Sequence, residues 1–290
     1  MADSVGMANI RGLDINKTVK GFAEMEYIFK SDLAQATTTG DSLRWYQETN
    51  GTESAVSPMR SSNVAFQSRP GTTEKTWTRN TSYVRKYFQE TFVPLMDIRT
   101  ADINVISRSL RALTRMITRD IDAHIWDVLT QSRVHPTGAT TDINLITSSG
   151  AWNDGASSPV RDVTAAQRVI WVSGGYNAKD ASLYISPLGY EYLFNWVFSK
   201  GSQIQSFVSE RLDSGTITKF CGLNVKVSPN VTADYAAVAI PQVAATYYTE
   251  TDITSAMSEN PGIGSTIRVW AVGEPVLTDP KAVCLVSNVE

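Results

Sequence analysis

Residues 106–130, ISRSLRALTRMITRDIDAHIWDVLT, form the stretch that most restricts how this chain can fold. At about 100° per residue, Ile106, Leu110, Leu113, Ile117, Ile121 and Val128 fall in one stripe. His124 fills the gap between Ile121 and Val128, so it points with the apolar face. Arg108, Arg111, Arg115 and Arg119 line the opposite side. An amphipathic helix of about 25 residues is roughly 38 Å long, about twice the usual length. Such a rod needs a surface that buries one side of it.

The end of this helix raises the question of chemistry. Asp120, His124 and Asp127 are spaced to share a face, as a metal site would require. The other reading is a core histidine whose ring nitrogens are satisfied by a neighbour such as Asp120 or Asp127. His135, in the loop VHPTG, is the one other histidine, and no ligand spacing recurs. There is no glycine-rich phosphate loop followed by Lys-Ser/Thr and no nucleophile elbow, and GIGSTI (262–267) lacks the third glycine of a dinucleotide fingerprint. No catalytic residue, cofactor or metal ligand is assigned, and the chain reads as a non-enzyme.

Composition adds limits. The chain has 290 residues, 42% hydrophobic and 19% charged, enough for one large domain or two modest ones. A net charge of -3 gives no global reason to bind nucleic acid or an acidic membrane, so such contact would need a local patch. No window approaches the roughly 18 apolar residues of a spanning helix, and the opening MADSVGMANIRGLDINK has no apolar signal core. The expectation is a protein made and kept in a cytoplasm. Cys221 and Cys284 sit in apolar, strand-like contexts and read as free thiols rather than a disulfide.

Residues 13–30 can form an amphipathic helix with Ile15, Val19, Phe22 and Phe29 on one side. Residues 41–49 and 74–93 are rich in Thr, Trp, Tyr, Phe and Val, which favour strands, and the region between them is full of turn residues. The expectation is a long two-stranded arm with a loose tip. A hairpin cannot bury Trp45, Tyr46, Trp77, Tyr83 and Tyr87 within itself. Either the arm folds back on its own domain, or it lies across a neighbouring subunit with Trp45 and Trp77 as intersubunit anchors. Beyond the long helix, 160–173 reads as a helix stopped by Gly174–Gly175. The strand ASLYIS and a helix opened by Ser186–Pro187 follow. KFCGLNVKVSPNV, DYAAVAIP and VAATYYTE read as strands, and GSTIRVWAVGEPVLTDPKAVCLVS as strand, turn at Asp279–Pro280, strand. Helices and strands mix without strict alternation, which argues an α+β fold.

Three stretches, LYISPLGYEYLFN, SGTITKFCGLNVKVSPNV and IRVWAVGEPVLTDPKAVCLV, carry a resemblance through their order and spacing. The chain resembles the tailed-phage major capsid proteins, whose fold is shared with herpesvirus capsid floors and encapsulin shells. The resemblance implies an N-terminal arm (1–36), an extended β-hairpin loop (37–94) and a peripheral domain with a long spine helix (95–160). An axial domain (161–262) and closing strands of the peripheral domain (263–290) would follow. It also implies a structural protein that assembles with itself, as pentamers and hexamers, into an icosahedral shell around the double-stranded DNA of a tailed virus. The protein would be made in the host cytoplasm and reside in the virion. Portal, scaffolding and decoration proteins are further implied partners, and no membrane is. An encapsulin-like compartment shell is the alternative. No Lys–Asn cross-link pair can be placed. An arm-like helix this close to Met1 implies that scaffolding, if needed, comes from a separate protein. In such a shell Arg108, Arg111, Arg115 and Arg119 would face packaged genome and neutralise phosphates without reading sequence. The competing reading pairs them with Asp122 or with acids of a neighbouring subunit.

Overall fold

The structure is a computed structural model that describes residues 18–23, 27–48, 77–100, 105–130, 143–155, 157–199 and 217–290. Ile15, His135, residues 50–73 and the side chain of Trp77 lie outside the described residues. The fold is α+β. The chain forms two compact units, Met1–Leu43, Ser82–Trp126 and Tyr247–Val276 in the first, Arg44–Thr81, Asp127–Thr246 and Leu277–Glu290 in the second.

The first unit is built on a four-stranded sheet. Its order is β1 (Ala34–Thr37), β10 (Ala245–Asn260), β11 (Gly264–Leu277), β4 (Arg85–Pro94). β4 and β11 are antiparallel, with Gly264 opposite Pro94 and Gly273 opposite Arg85. The short helix α1 (Leu95–Thr100) follows β4, and the long helix α2 spans Val105–Leu129. Leu110, Leu113, Ile117 and Ile121 of α2 are buried, as the spacing demands. At the C-terminal end the buried residues are Ile125 and Leu129 rather than Val128, which is half-exposed. In the last turns the buried face swings toward Ile125, Trp126 and Leu129, which leaves Val128 at its edge.

The expected helix over 13–30 is shorter. Residues 18–23 are helical, and Lys30–Asp32 is a single 3-10 turn. The cause lies in tertiary contact: the backbone N–H groups of Ile28 and Lys30 donate to the Asp122 carboxylate at 2.8 and 3.4 Å. Val19, Ala23 and Phe29 are buried, and Phe29 meets Trp126 with ring centroids 5.9 Å apart.

Strands β2 (Ser42–Glu48) and β3 (Trp77–Tyr83) form a separate two-stranded sheet, but the second strand expected for the arm, 74–93, breaks at Val84, and its later part, β4, joins the four-stranded sheet by pairing with β11 instead. Only Val84 separates β3 from β4, and its N–H donates to Asp41 O at 3.0 Å.

The second unit contains a six-stranded mixed sheet. Its order is β5 (Asn144–Thr147), β12 (Val283–Ser287), β9 (Tyr235–Ala239), β6 (Ser182–Ile185), β8 (Leu223–Val227), β7 (Lys219–Phe220). Helices α3 (Pro159–Gly174) and α4 (Pro187–Ser199) supply Val163, Ala166, Ile170, Leu193 and Val197 to a core with Leu183, Ile185, Val238 and Val286. α3 ends as its glycines require: Gly175 is left-handed at φ 68° and its N–H reaches Trp171 O. Ser186 Oγ accepts from Gly189 N at 2.8 Å, which caps α4. Asp162 of α3 is buried and accepts from Ser148 Oγ, Ser149 N and Trp152 Nε1 at 2.7, 3.1 and 3.1 Å, tying the chain before α3 to the helix. Cys221 and Cys284 are free thiols, the second buried.

Residues 263–290 are not one pair of strands. β11 lies between β10 and β4, whereas β12 pairs with β5 and β9. Val283, Cys284, Leu285 and Val286 are all buried, and a strand apolar on both faces belongs inside a covered sheet. β10 also extends well past the VAATYYTE stretch, because ladder pairing carries a strand through the polar sequence TDITSAMSEN.

Candidate functional site

On α2, Arg108, Arg111, Arg115 and Arg119 are all exposed on the side away from the buried stripe. Arg111 places its guanidinium 5.0 Å from the centre of the Phe22 ring. Asp122 does not serve these arginines, because its carboxylate is buried and taken by the amides of Ile28 and Lys30. Burial pushes its pKa up to about 6, with the backbone hydrogen bonds opposing.

The histidine of the long helix is a core residue with partners other than those expected. His124 is 9% exposed, and its Nδ1 lies 2.5 Å from Tyr87 Oη. Its Nε2 faces Glu274 Oε1 at 4.0 Å. Burial first, then the positive Arg85, lowers its pKa to about 4, so the ring is neutral near pH 7. A neutral ring facing a carboxylate keeps its proton on Nε2, so the Tyr87 hydroxyl donates to Nδ1. Asp120 is exposed and Asp127 half-buried, and neither contacts the ring. Among the described residues no group of three or more His, Cys, Asp or Glu is placed to hold a metal ion.

Glu274 organises this cluster, and sequence reading missed it. It is 3% exposed on β11, where Ser82 Oγ donates to its Oε1 at 2.6 Å and Arg85 Nε stands 3.7 Å from its Oε2. Oε2 itself accepts no hydrogen bond. Burial raises the Glu274 pKa, against the pull of Ser82 and Arg85. The signal was present: a lone acid inside the apolar run VWAVGEPVL is rare unless partnered. Ser82 and Arg85 flank the break at Val84, so one carboxylate holds both sides of the junction between β3 and β4.

The aromatics of the arm divide. Tyr87 is consumed by His124, and half-buried Trp45 donates its indole N–H to Leu277 O at 3.1 Å within the same chain. Tyr46 and Tyr83 are 62% and 74% exposed. Asn80 Nδ2 donates to the buried Gln47 Oε1 at 2.6 Å and ties β3 to β2.

A family model described as phage capsid protein matches residues 95–286. Among solved structures the chain is similar to the virus-like particle from Pyrococcus furiosus. There the TM-score is 0.64 at 10% identity, over 96% of this chain and 99% of that one. It is also similar to the capsid of cyanophage P-SCSP1u, with TM-score 0.64 and 12% identity over 90% of this chain and 88% of that one. For a Mycobacterium phage Che8 chain the TM-score is 0.59 at 17% identity, over 86% and 85%. No curated protein matches. Identities this low speak for the fold alone, but the family match covers well over half of the 290 residues. The chain therefore belongs to the phage capsid protein family, as a structural protein with the tailed-phage major capsid fold.

Proposed function

We propose that this protein forms the icosahedral shell around the double-stranded DNA of a tailed virus, self-assembling as pentamers and hexamers. The family match carries the reading, and the exposed Tyr46 and Tyr83 on a two-stranded extension support it. A hairpin this small cannot cover such rings, so a neighbouring copy is the surface that would. In this reading the first compact unit is the peripheral domain, α2 is its spine, and the six-stranded sheet is the core of the axial domain. Residues 37–94 are the loop that reaches a neighbour, with Trp45 and Trp77 at its base. The stripe Arg108, Arg111, Arg115 and Arg119 faces packaged DNA and contacts phosphate without reading bases. Portal, scaffolding and decoration proteins complete the particle, which is made in the host cytoplasm.

Light scattering with electron microscopy of the purified chain tests the assembly. Closed particles with five- and six-fold capsomers are expected. A species that stays monomeric across salt and protein concentration, with or without a co-expressed scaffold, overturns it. The genomic neighbourhood separates a virus from a cellular compartment: portal and terminase genes are expected, not a cargo enzyme.

A further inference from the structure

Strand β4 (Arg85–Pro94) is the outermost strand of its sheet, and among the described residues no strand pairs with it on the side away from β11. Its two ends show which backbone groups face outward. Leu95 N donates to Ile263 O on the β11 side, whereas Val84 N donates to Asp41 O on the other. Backbone groups alternate between the two sides of a strand, so Lys86, Phe88, Glu90 and Phe92 turn their amides and carbonyls to the outer edge. Val84, already bonded, closes that edge at one end, and Pro94, which has no N–H, closes it at the other. The one-to-one register with β11 from Arg85 to Pro94 leaves no bulge to twist the edge away. The same residues carry the exposed side chains. Phe88 and Phe92 are 46% and 47% exposed, with Lys86 and Glu90 exposed beside them, while Tyr87 and Val93 point the other way, to His124 and the core.

We propose that β4 pairs antiparallel with β4 of a second copy across a two-fold axis, joining the two four-stranded sheets into one. The proposal rests on the shell reading above: rings of subunits close into a shell only when joined to one another, and a self-complementary two-fold contact does this. Charge and register select the occupant. With Phe88 opposite Phe88 of the second copy, Lys86 stands opposite Glu90 and Glu90 opposite Lys86, and all of them present the outward-facing backbone groups that such a ladder needs. A slide of two residues either way takes the charges off each other, and a slide of four sets Lys86 against Lys86 or Glu90 against Glu90. β11 extends the rows. Trp270 lies opposite Phe88, and Arg268 lies opposite Glu90, with which it is ion-paired through Oε2. An aromatic row Trp270–Phe88–Phe88–Trp270 therefore crosses the axis, flanked on each side by Arg268–Glu90–Lys86, and cross-strand aromatic and opposite-charge pairs are what stabilise a sheet. In the single chain the Lys86 ammonium sits 5.4 Å from the centre of the Phe88 ring, within reach of the strand that would lie alongside.

Particles of Phe88→Cys treated with oxidised glutathione test the register. Directly bonded partners in an antiparallel pair stand about 5.5 Å apart at Cα, within disulfide reach, whereas positions 86 of the two copies would stand about 14 Å apart. Mass spectrometry should find a covalent dimer whose linked peptides both contain position 88, and none linked through position 86 in Lys86→Cys particles. Charge reversal gives a second reading that needs no new cysteine. Lys86→Glu and Glu90→Lys, each alone, set like charges opposite one another on both sides of the axis and should raise the concentration needed for assembly at low salt by about ten-fold. An equal mixture of the two variants puts opposite charges back between unlike copies and should assemble within about three-fold of the wild type. Particles that form normally yet give no dimer through position 88, or give one through position 86, overturn the contact and leave the shell reading intact. Loss of assembly in both reversals with no recovery in the mixture does the same. Protection of the Phe88→Cys thiol from maleimide only when a second protein is co-expressed would assign the edge to that partner and overturn the proposal. Dimers through position 88 from a chain that makes no closed particle keep the contact and remove the shell reading, and a chain that stays monomeric removes both.

Discussion

Asp122 and His124 lie two positions apart on α2, and burial moves their proton affinities in opposite directions. Asp122 binds its proton more tightly in the folded chain, with a pKa of about 6 against 3.8. The stability it contributes is full below about pH 4 and is lost as pH rises through 6. His124 binds its proton more weakly, with a pKa of about 4 against 6.5. Its contribution is full above 6.5 and is lost as pH falls through 4. Each shift corresponds to about 3 kcal/mol, so between pH 6.5 and 4 the two slopes largely cancel. Asp122→Asn should expose the histidine's slope, with melting temperature falling more steeply with acid than in the wild type. His124→Gln should turn the difference the other way. Calorimetry across that window checks both; unchanged slopes in either variant would mean the groups are solvated. Tyr87→Phe leaves Nδ1 of His124 buried without a donor and should cost about 1–3 kcal/mol in denaturant unfolding.

At the scale of elements, β11 is the strand on which the first unit depends. Two of its glycines are there for closeness. A Cβ at Gly264 would stand 2.3 Å from Val93 O, and one at Gly273 would stand 2.6 Å from the Tyr247 hydroxyl. The first obstacle is backbone in a paired strand, which cannot give way without breaking the ladder. The second is the end of a side chain that is 1% exposed, and the backbone oxygen of Tyr248 stands 2.8 Å away beside it. Gly264→Ala should therefore destabilise by about 2–3 kcal/mol and Gly273→Ala by about 1–3, both as overpacking, read by thermal melts of unassembled subunits. If Gly264→Ala is neutral, β4 and β11 are less tightly joined than their register indicates. Glu274 is the polar counterpart of these glycines, since it fixes both flanks of Val84 through Ser82 and Arg85. β10 teaches a related lesson: its outer half was unreadable as strand because its polar sequence draws its regularity from the neighbouring ladder.

At the scale of the whole molecule, the arm's aromatics separate folding from assembly. Tyr46→Ala and Tyr83→Ala remove exposed rings and should leave subunit stability within about 0.5 kcal/mol, while light scattering shows weakened assembly. Trp45→Phe should do the reverse, because the indole N–H serves Leu277 O in the same chain. If the tyrosine variants assemble normally, the arm meets its neighbour through other residues. The arginine stripe is tested in filled particles. Arg111→Gln combined with Arg115→Gln should reduce the log–log salt slope of DNA retention by about 0.9 for each of the two arginines that neutralises a phosphate. Equal retention with poorer assembly would assign the stripe to the interface between subunits.

The sequence by itself determined α2, its buried and arginine faces, the two-stranded arm, the caps of α3 and α4, and the α+β class. Each of these is a local matter, set by a period of 3.6 or 2, a proline, a serine or a pair of glycines within a few residues. Only the tertiary structure decided that Ile28 and Lys30 leave the helix for Asp122, that β11 and β12 part into different sheets, and that His124 turns to Tyr87 and Glu274. Those outcomes join residues far apart in the chain, His124 and Glu274 by 150 positions. They are fixed by which buried polar group finds its partner once the chain has closed, and no local period records that.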